Sequence, residues 1–351
     1  MIRFDPKNGR LTRRTQEQEL VYPDLQRKTL ARLQKVRCAA ISSEGLKLAV
    51  RFPQAPRNLK SAPMPSPRLL VVEGNSPQTM ADHLAAGGTV ASKAYSDLLR
   101  ELLPGAVVDI CYPGDPAALL PEGTSLEGYD GIAITGSSLH IYNAAPEVLR
   151  QIDLVRAALK TGTPLFGSCW GLQVITAAAG GSVRKNPKGR EIGFGRGIRL
   201  TEAGRKHPMY AGKLDVFNAP TVHLDEIEAM APGTTVLATN AVSDVQSAEI
   251  RTNGSIAWAV QYHPEYPLRE VAAIVRRIGT RLIEEGFFAD EADIKIFASD
   301  LDTLDRDPGC KRLSWRHGVS KNVLDKRLRV SEVANWIEFQ VLPMRVKRGR
   351  G

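Results

Sequence analysis

Residues 167–173 read Gly-Ser-Cys-Trp-Gly-Leu-Gln, and they constrain the fold of this chain more than any other stretch. An apolar run, Thr163-Pro164-Leu165-Phe166, leads into them. A helix-forming run, Val174-Ile175-Thr176-Ala177-Ala178-Ala179, leaves them and stops at Gly180-Gly181. Strand, tight turn, reactive side chain and helix in that order make a nucleophile elbow, here with Cys169 in place of serine. Gly167 and Gly171 leave room for a cramped backbone. The helix after the turn points its N-terminus at Cys169, and that partial positive charge favours the thiolate, the nucleophilic form.

A thiolate needs a base, and the base needs a group to orient it. The chain supplies both at His263-Pro264-Glu265, after the β-prone run Ser255-Ile256-Ala257-Trp258-Ala259-Val260-Gln261-Tyr262. His263 is therefore placed at a strand end, and Pro264 keeps it extended. Residues two apart in an extended chain face the same side, so Glu265 can reach the His263 ring and set its tautomer. Cysteine, histidine and glutamate in these places complete an acyl-transfer triad.

With these motifs the chain resembles the class I glutamine amidotransferases, which carry Gly-x-Cys-x-Gly-x-Gln at the elbow and His-Pro-Glu downstream. Gly180-Gly181-Ser182-Val183, Arg190-Glu191-Ile192-Gly193 and His223-Leu224-Asp225-Glu226-Ile227 resemble the glutaminase part of GMP synthetase. The resemblance spans about residues 68–286. It implies the family's flavodoxin-like α/β fold, an open, mostly parallel sheet flanked by helices. It also implies glutamine as substrate: Cys169 attacks the side-chain amide, His263 passes a proton to the leaving ammonia, and water hydrolyses the γ-glutamyl thioester. The oxyanion is expected on backbone N–H groups of Trp170 and of the Gly136-Ser137 loop, donors that typically contribute ~3–4 kcal/mol. Gln173 and His223 are expected on the substrate side. Two departures from the family pattern stand out. Ser137 replaces the second glycine of the oxyanion loop, which narrows its backbone choices, and Val222 replaces the serine before His223. The isolated chain is accordingly expected to be a slow glutaminase that a partner accelerates.

No Ser-Gly-Gly-x-Asp-Ser pyrophosphatase signature is present, so ammonia would pass to a synthetase on another chain, or the protein is a stand-alone hydrolase of γ-glutamyl amides or peptides. Cys-Trp-Gly-x-Gln and His-Pro-Glu-Tyr are also shared with homoserine transacylases, which leaves acyl transfer to a small alcohol as an alternative. A binding module that uses basic ends is the non-enzymatic one.

The 351 residues suffice for one large domain or two modest ones, and 43% hydrophobic content supports a sizeable core. No apolar run reaches the ~18 residues of a membrane span, and residues 1–7 lack the apolar stretch of a secretory signal. Cys38, Cys111, Cys169 and Cys310 are widely spaced, which suits a reducing, cytoplasmic setting without a disulfide framework. Neither metal nor cofactor is expected: no histidine pair has ligand spacing, and no phosphate-binding glycine motif occurs. His140, four residues after Gly136, is read as a loop histidine near the pocket mouth.

Charge is uneven. Residues 1–67 carry 14 Lys+Arg against 5 Asp+Glu, residues 307–351 carry 11 against 4, and the stretch between carries 22 against 29. The basic ends lack any nucleic-acid motif, so nucleic acid is not an expected partner. Three regions result: a basic N-terminal extension and linker (1–67), the catalytic body (68–286) and a helical basic C-terminal extension (287–351). Leu25–Arg37 has helical character, and Pro53–Pro67 reads as a linker. Met64 is a second candidate start, and a chain beginning there is expected to fold and act alike. Leu268–Gly286 reads as one helix. So does Asn322–Phe339, whose apolar stripe reads as packed on the body or on a partner subunit and is a candidate docking face, and Arg345–Arg350 reads as a frayed basic tail.

Overall fold

The computed structural model describes the backbone of residues 3–4 and 11–12 and, in full, residues 65–116 and 120–350. The chain divides into two units, Met1–Lys60 and Ser61–Gly351. In the first, Arg3–Phe4 pairs antiparallel with Leu11–Thr12. The helical stretch expected at Leu25–Arg37 and most of the linker at Pro53–Pro67 lie outside the described residues.

The second unit contains strands β1 (Arg68–Val72), β2 (Val107–Cys111), β3 (Gly131–Ile134), β4 (Leu165–Ser168), β5 (Ser182–Lys185), β6 (Glu191–Leu200), β7 (Val216–His223), β8 (Asp225–Ala229), β9 (Thr234–Thr239), β10 (Ser247–Thr252) and β11 (Ser255–Val260). Nine form one sheet in the order β2-β1-β3-β4-β11-β10-β9-β6-β7, and β5 and β8 pair separately. The half from β2 to β11 is parallel. The other half is antiparallel. Helices α1 (Pro77–Ala85), α2 (Ala91–Leu102), α3 (Pro146–Ala158) and α4 (Trp170–Ala178) belong to the parallel half.

Strand periodicity explains the layering. In β1, Leu69 and Val71 face a core that holds Tyr95, Leu98 and Leu99 of α2, while Leu70 and Val72 face the core made by α3 and α4. A strand buried on both faces reads as a continuous apolar run, as Leu-Leu-Val-Val does. The strand order reverses between β1 and β3, and in such sheets the crevice beyond the carboxyl ends at that switch point is the usual binding place. Three chain segments end there: Glu73–Asn75 after β1, Thr135–Ser137 after β3, and Cys169 after β4.

The C-terminal region departs from expectation. Leu268–Gly286 is broken at Ile278 into α5 (Leu268–Arg277) and α6 (Gly279–Glu284). A long helix, Glu291–Arg306, packs on α5. Asn322–Phe339 is a succession of short turns, Lys321–Leu324, Lys326–Arg329 and Ser331–Trp336, which then widens to a π turn at Ile337–Val341. Its stripe is no open docking face: Val330, Val333, Trp336, Ile337 and Val341 sit in the core on Leu69, Val71 and Phe166. Trp336 packs on Phe166 with ring centroids 5.8 Å apart. A Cβ at Gly131 would fall 2.8 Å from the Trp336 ring, so the indole occupies space that only glycine leaves open. Glu332, fully buried, takes Lys213 Nζ at 2.6 Å and the Tyr262 hydroxyl at 2.6 Å.

Nor is the basic tail frayed. Arg345 donates to Asp130 Oδ2 at 2.7 Å in a nearly buried pair, and Arg350 reaches Asp130 Oδ1 at 3.2 Å. Arg348 donates to the carbonyl of Tyr129 and to Thr163 Oγ1. The partners of these arginines are far away in sequence, so a solvated basic tip is the wrong picture. Replacing Trp336 by alanine is expected to destabilise the unit by about 3–5 kcal/mol, the usual loss for a core tryptophan. Denaturant unfolding of the two proteins measures it.

Candidate active site

Cys169 caps α4 with φ 52° and ψ −101°, a backbone conformation that side-chain-bearing residues seldom adopt. The elbow is forced by its neighbours. The Cys169 amide donates to the Val260 carbonyl of β11 at 2.7 Å, which ties the turn to the strand leading to the histidine. A Cβ at Gly167 would meet the Gly171 backbone at 2.6 Å. The thiol lies at the helix start, where N–H groups without helical partners gather, and its Sγ reaches the Val222 carbonyl at 3.5 Å.

His263 comes after β11, and its amide is held by the Pro220 carbonyl. Its Nδ1 faces Glu265 Oε1 at 2.7 Å, the contact that extended spacing across Pro264 predicts. Glu265 Oε2 accepts from Ser168 Oγ at 3.0 Å, and Ser168 Oγ in turn meets the Tyr95 hydroxyl at 3.0 Å. Tyr266 lies flat against the imidazole, centroids 3.9 Å apart and planes 2° from parallel. Nε2 is buried without a conventional partner and is left to face the cleft and Cys169. Burial disfavours charge on His263, but the Glu265 carboxylate and then the contact with Cys169 outweigh it and lift its pKa from 6.5 to about 10.

That elevation has a sign. The folded state binds the His263 proton more tightly than the unfolded chain does, so this contribution to stability is complete below pH 6.5 and is lost as pH rises towards 10. The stability difference between the wild type and His263→Gln should therefore shrink over that window. Urea melts at both ends of the window check it.

The loop after β3 is held from below. Asn75 Nδ2 donates to the Gly136 carbonyl at 3.2 Å, and Thr135 Oγ1 donates to the same oxygen at 3.1 Å. Glu73 Oε1 accepts from the Asn75 amide and side chain, and its Oε2 accepts from the Ser92 amide. A Cβ at Gly136 would stand 2.5 Å from His263 Cε1, so glycine is required there by close approach. Neither Gly136 nor Ser137 has positive φ, so the serine imposes no strain on the loop. The amides of Gly136 and Ser137 donate to no protein group among the described residues. Gly136, Ser137, Cys169, Gln173, His223 and His263 line one cleft.

Two of the expected substrate-side residues have side chains engaged by the protein. Gln173 Nε2 lies 3.3 Å from Gln261 Oε1 and 3.5 Å from the Asp225 carbonyl. His223 places Nε2 2.9 Å from Glu191 Oε2 and Nδ1 3.0 Å from the Asp225 carbonyl, so both ring nitrogens are taken. His140 is part of the cleft wall, with Nδ1 2.6 Å from Asp225 Oδ2. Trp170 sends its indole N–H to Gln151 Oε1 at 2.7 Å, and Gln151 Nε2 reaches the Gly74 carbonyl. Sequence reasoning passed over Glu73, Asn75, Gln151, Ser168 and Tyr266. Only Ser168 and Tyr266 carried a signal, because each adjoins a triad motif.

The family profile described as glutamine amidotransferase class-I matches residues 108–278. The chain is 33% identical over 281 residues to a γ-glutamyl-L-1-hydroxyisopropylamide hydrolase from a Pseudomonas species, a match that takes in 79% of this chain and 94% of that protein. The chain belongs to the class-I glutamine amidotransferase family. Another member, a glutamine-hydrolysing GMP synthase from Porphyromonas gingivalis, is 31% identical over 150 residues, 43% of this chain and 27% of that protein. The crystal structure of a glutamine amidotransferase from Thermotoga maritima superposes with a TM-score of 0.55 at 16% identity, over 78% of this chain and 98% of that one, which shows the shared amidotransferase fold. The family's members named here act on amide bonds. Among the described residues, no group of three or more His, Cys, Asp or Glu side chains is arranged to hold a metal ion, and no helix is long and apolar enough to cross a membrane.

Proposed function

We propose that this amidotransferase is a γ-glutamyl amide hydrolase whose acid–base and nucleophilic groups are Cys169, His263 and Glu265. The observation that carries the reading is the Cys169–His263–Glu265 arrangement at the switch point, with the His263–Glu265 contact at 2.7 Å. Cys169 Sγ attacks the γ-carbonyl carbon, and the carbon–nitrogen bond breaks. The nitrogen leaves as an amine after taking a proton from His263. Water then attacks the thioester, gives its proton to His263 and releases glutamate. Glu265 holds the imidazole tautomer and balances its charge. The amides of Trp170, Gly136 and Ser137 are the oxyanion donors in this scheme. Gln173 and His223 shape the γ-glutamyl side of the cleft through their bonds to the Asp225 backbone.

Three features support a stand-alone hydrolase. The chain matches the Pseudomonas hydrolase over nearly that protein's full length. The oxyanion loop is already braced by Asn75 and Thr135. The apolar stripe of Asn322–Phe339, the candidate docking face for a synthetase, is buried in the protein's own core. A glutaminase that feeds a separate synthetase is the second reading, and the likeness to GMP synthase favours it. Measuring glutamate release from glutamine and from a panel of γ-glutamyl amides tests the first. Turnover of the amides by the chain alone is expected. Release from glutamine only, rising severalfold when a synthetase is added, would replace it with the second.

A further inference from the structure

The cleft has a wall that the triad does not use. Ile274 and Arg277 of α5, Ile278 at the break and Arg281 of α6 all line the cleft with Cys169 and His263. Arg277 is half-buried there. Among the described residues it has neither an ion pair nor a hydrogen bond, and its Nε is a buried donor without a partner. Burial works against its charge, while Asp82 supports it from a distance. The nearby carboxylates are committed elsewhere. Glu270 accepts from Thr89 and faces His83, Glu265 serves His263, Glu285 accepts from Nε and Nη2 of Arg190, and exposed Asp82 accepts from Gln78. A guanidinium kept unpaired at such a place is arranged for a planar anion that accepts two hydrogen bonds.

The position of Arg277 says which part of a substrate meets it. His263 hands its proton to the leaving nitrogen, so the substituent on that nitrogen lies on the histidine's side of the cleft. Tyr266 lies flat on His263 and lines the cleft together with Arg277. Another part of the lining, Gln173 and His140, which both bond to Asp225, is left for the γ-glutamyl group. We propose that Arg277 is a specificity-determining residue that binds a carboxylate on the leaving amine, so that the preferred substrate is a γ-glutamyl amino acid or peptide and not a neutral γ-glutamyl amide. The inference rests on the hydrolase reading above and adds no chemical step to it. Arg281 of α6, exposed on the lining of the same cleft, adds a second positive charge for the same anion.

The test compares γ-glutamyl-alanine with γ-glutamyl-alaninol, which replaces the leaving carboxylate by a hydroxymethyl group. The quantity read is the ratio of their kcat/KM values, which does not depend on the fraction of enzyme folded. The wild type should favour γ-glutamyl-alanine by roughly ten- to hundredfold, the range of a charge-assisted hydrogen bond. Arg277→Met should bring the ratio close to one, chiefly through KM for γ-glutamyl-alanine, and Arg277→Lys should keep part of the preference. An unchanged ratio in Arg277→Met would overturn the inference, since a guanidinium that bound the γ-glutamyl group's own carboxylate, or only supported the fold, would affect both substrates alike. A wild type that cleaves both compounds equally overturns the inference and leaves the hydrolase reading standing. A wild type that cleaves neither overturns both.

Discussion

Cys169→Ala is expected to leave no measurable amide hydrolysis, a loss on the order of 10⁴–10⁶-fold, because the bond-forming atom is gone and the remaining groups only bind and polarise the carbonyl. The fold should survive. Cys169 is buried, and its φ of 52° with ψ −101° is as uncomfortable for alanine as for cysteine. Strain of this kind is worth about 1–3 kcal/mol, so Cys169→Gly should be at least as stable as Cys169→Ala while equally inactive. Amine release and thermal unfolding of the three proteins separate the chemical role from the structural one. An active alanine variant, with its unfolding unchanged, would remove Cys169 from the mechanism.

His263→Asn should lose several orders of magnitude in kcat/KM, and Glu265→Gln should lose about one to two orders less, because the group that orients a base matters less than the base itself. The two variants should also differ in pH profile. In the wild type, protonated His263 persists to about pH 10 because Glu265 and Cys169 outweigh its burial. Removing the Glu265 charge should bring the alkaline fall in activity to lower pH, whereas the residual rate of His263→Asn should show no such limb. A Glu265→Gln enzyme with the wild-type alkaline limb would mean that the carboxylate does not set the histidine's proton affinity.

The part of this fold that was legible in the sequence is the part built from local pattern. Leu69–Val72, Ile132–Ile134 and Leu165–Phe166 are continuous apolar runs because they are buried on both faces, and each leads directly towards a functional segment. His263 and Glu265 were paired correctly because an extended chain across proline has one geometry. The C-terminal region was misread for a physical reason. Periodicity shows that a face is buried but not what buries it, so the stripe ending in Trp336 could meet the body or a partner subunit, and in the structure it meets Phe166 of the body. Arg345, Arg348 and Arg350 looked solvated, since nothing local reveals that Asp130 lies 215 residues from Arg345 and in contact with it. The break at Ile278 is likewise non-local. A Cβ at Gly279 would stand 2.9 Å from Ile294 of a later helix. The braces of the loop after β3, Glu73 and Asn75, sit 61 residues or more from the Gly136 carbonyl that Asn75 holds, and no sequence motif joins them.

Hydrolysis through a γ-glutamyl thioester on Cys169 is the central chemical claim. Mixing the enzyme with a γ-glutamyl amide, quenching in acid within the first turnover and mapping the adduct by peptide mass spectrometry tests it most directly. One γ-glutamyl unit is expected on the peptide containing Cys169, and none in Cys169→Ala. An adduct on Cys111 or Cys310, or full turnover with no adduct on any cysteine, would contradict it.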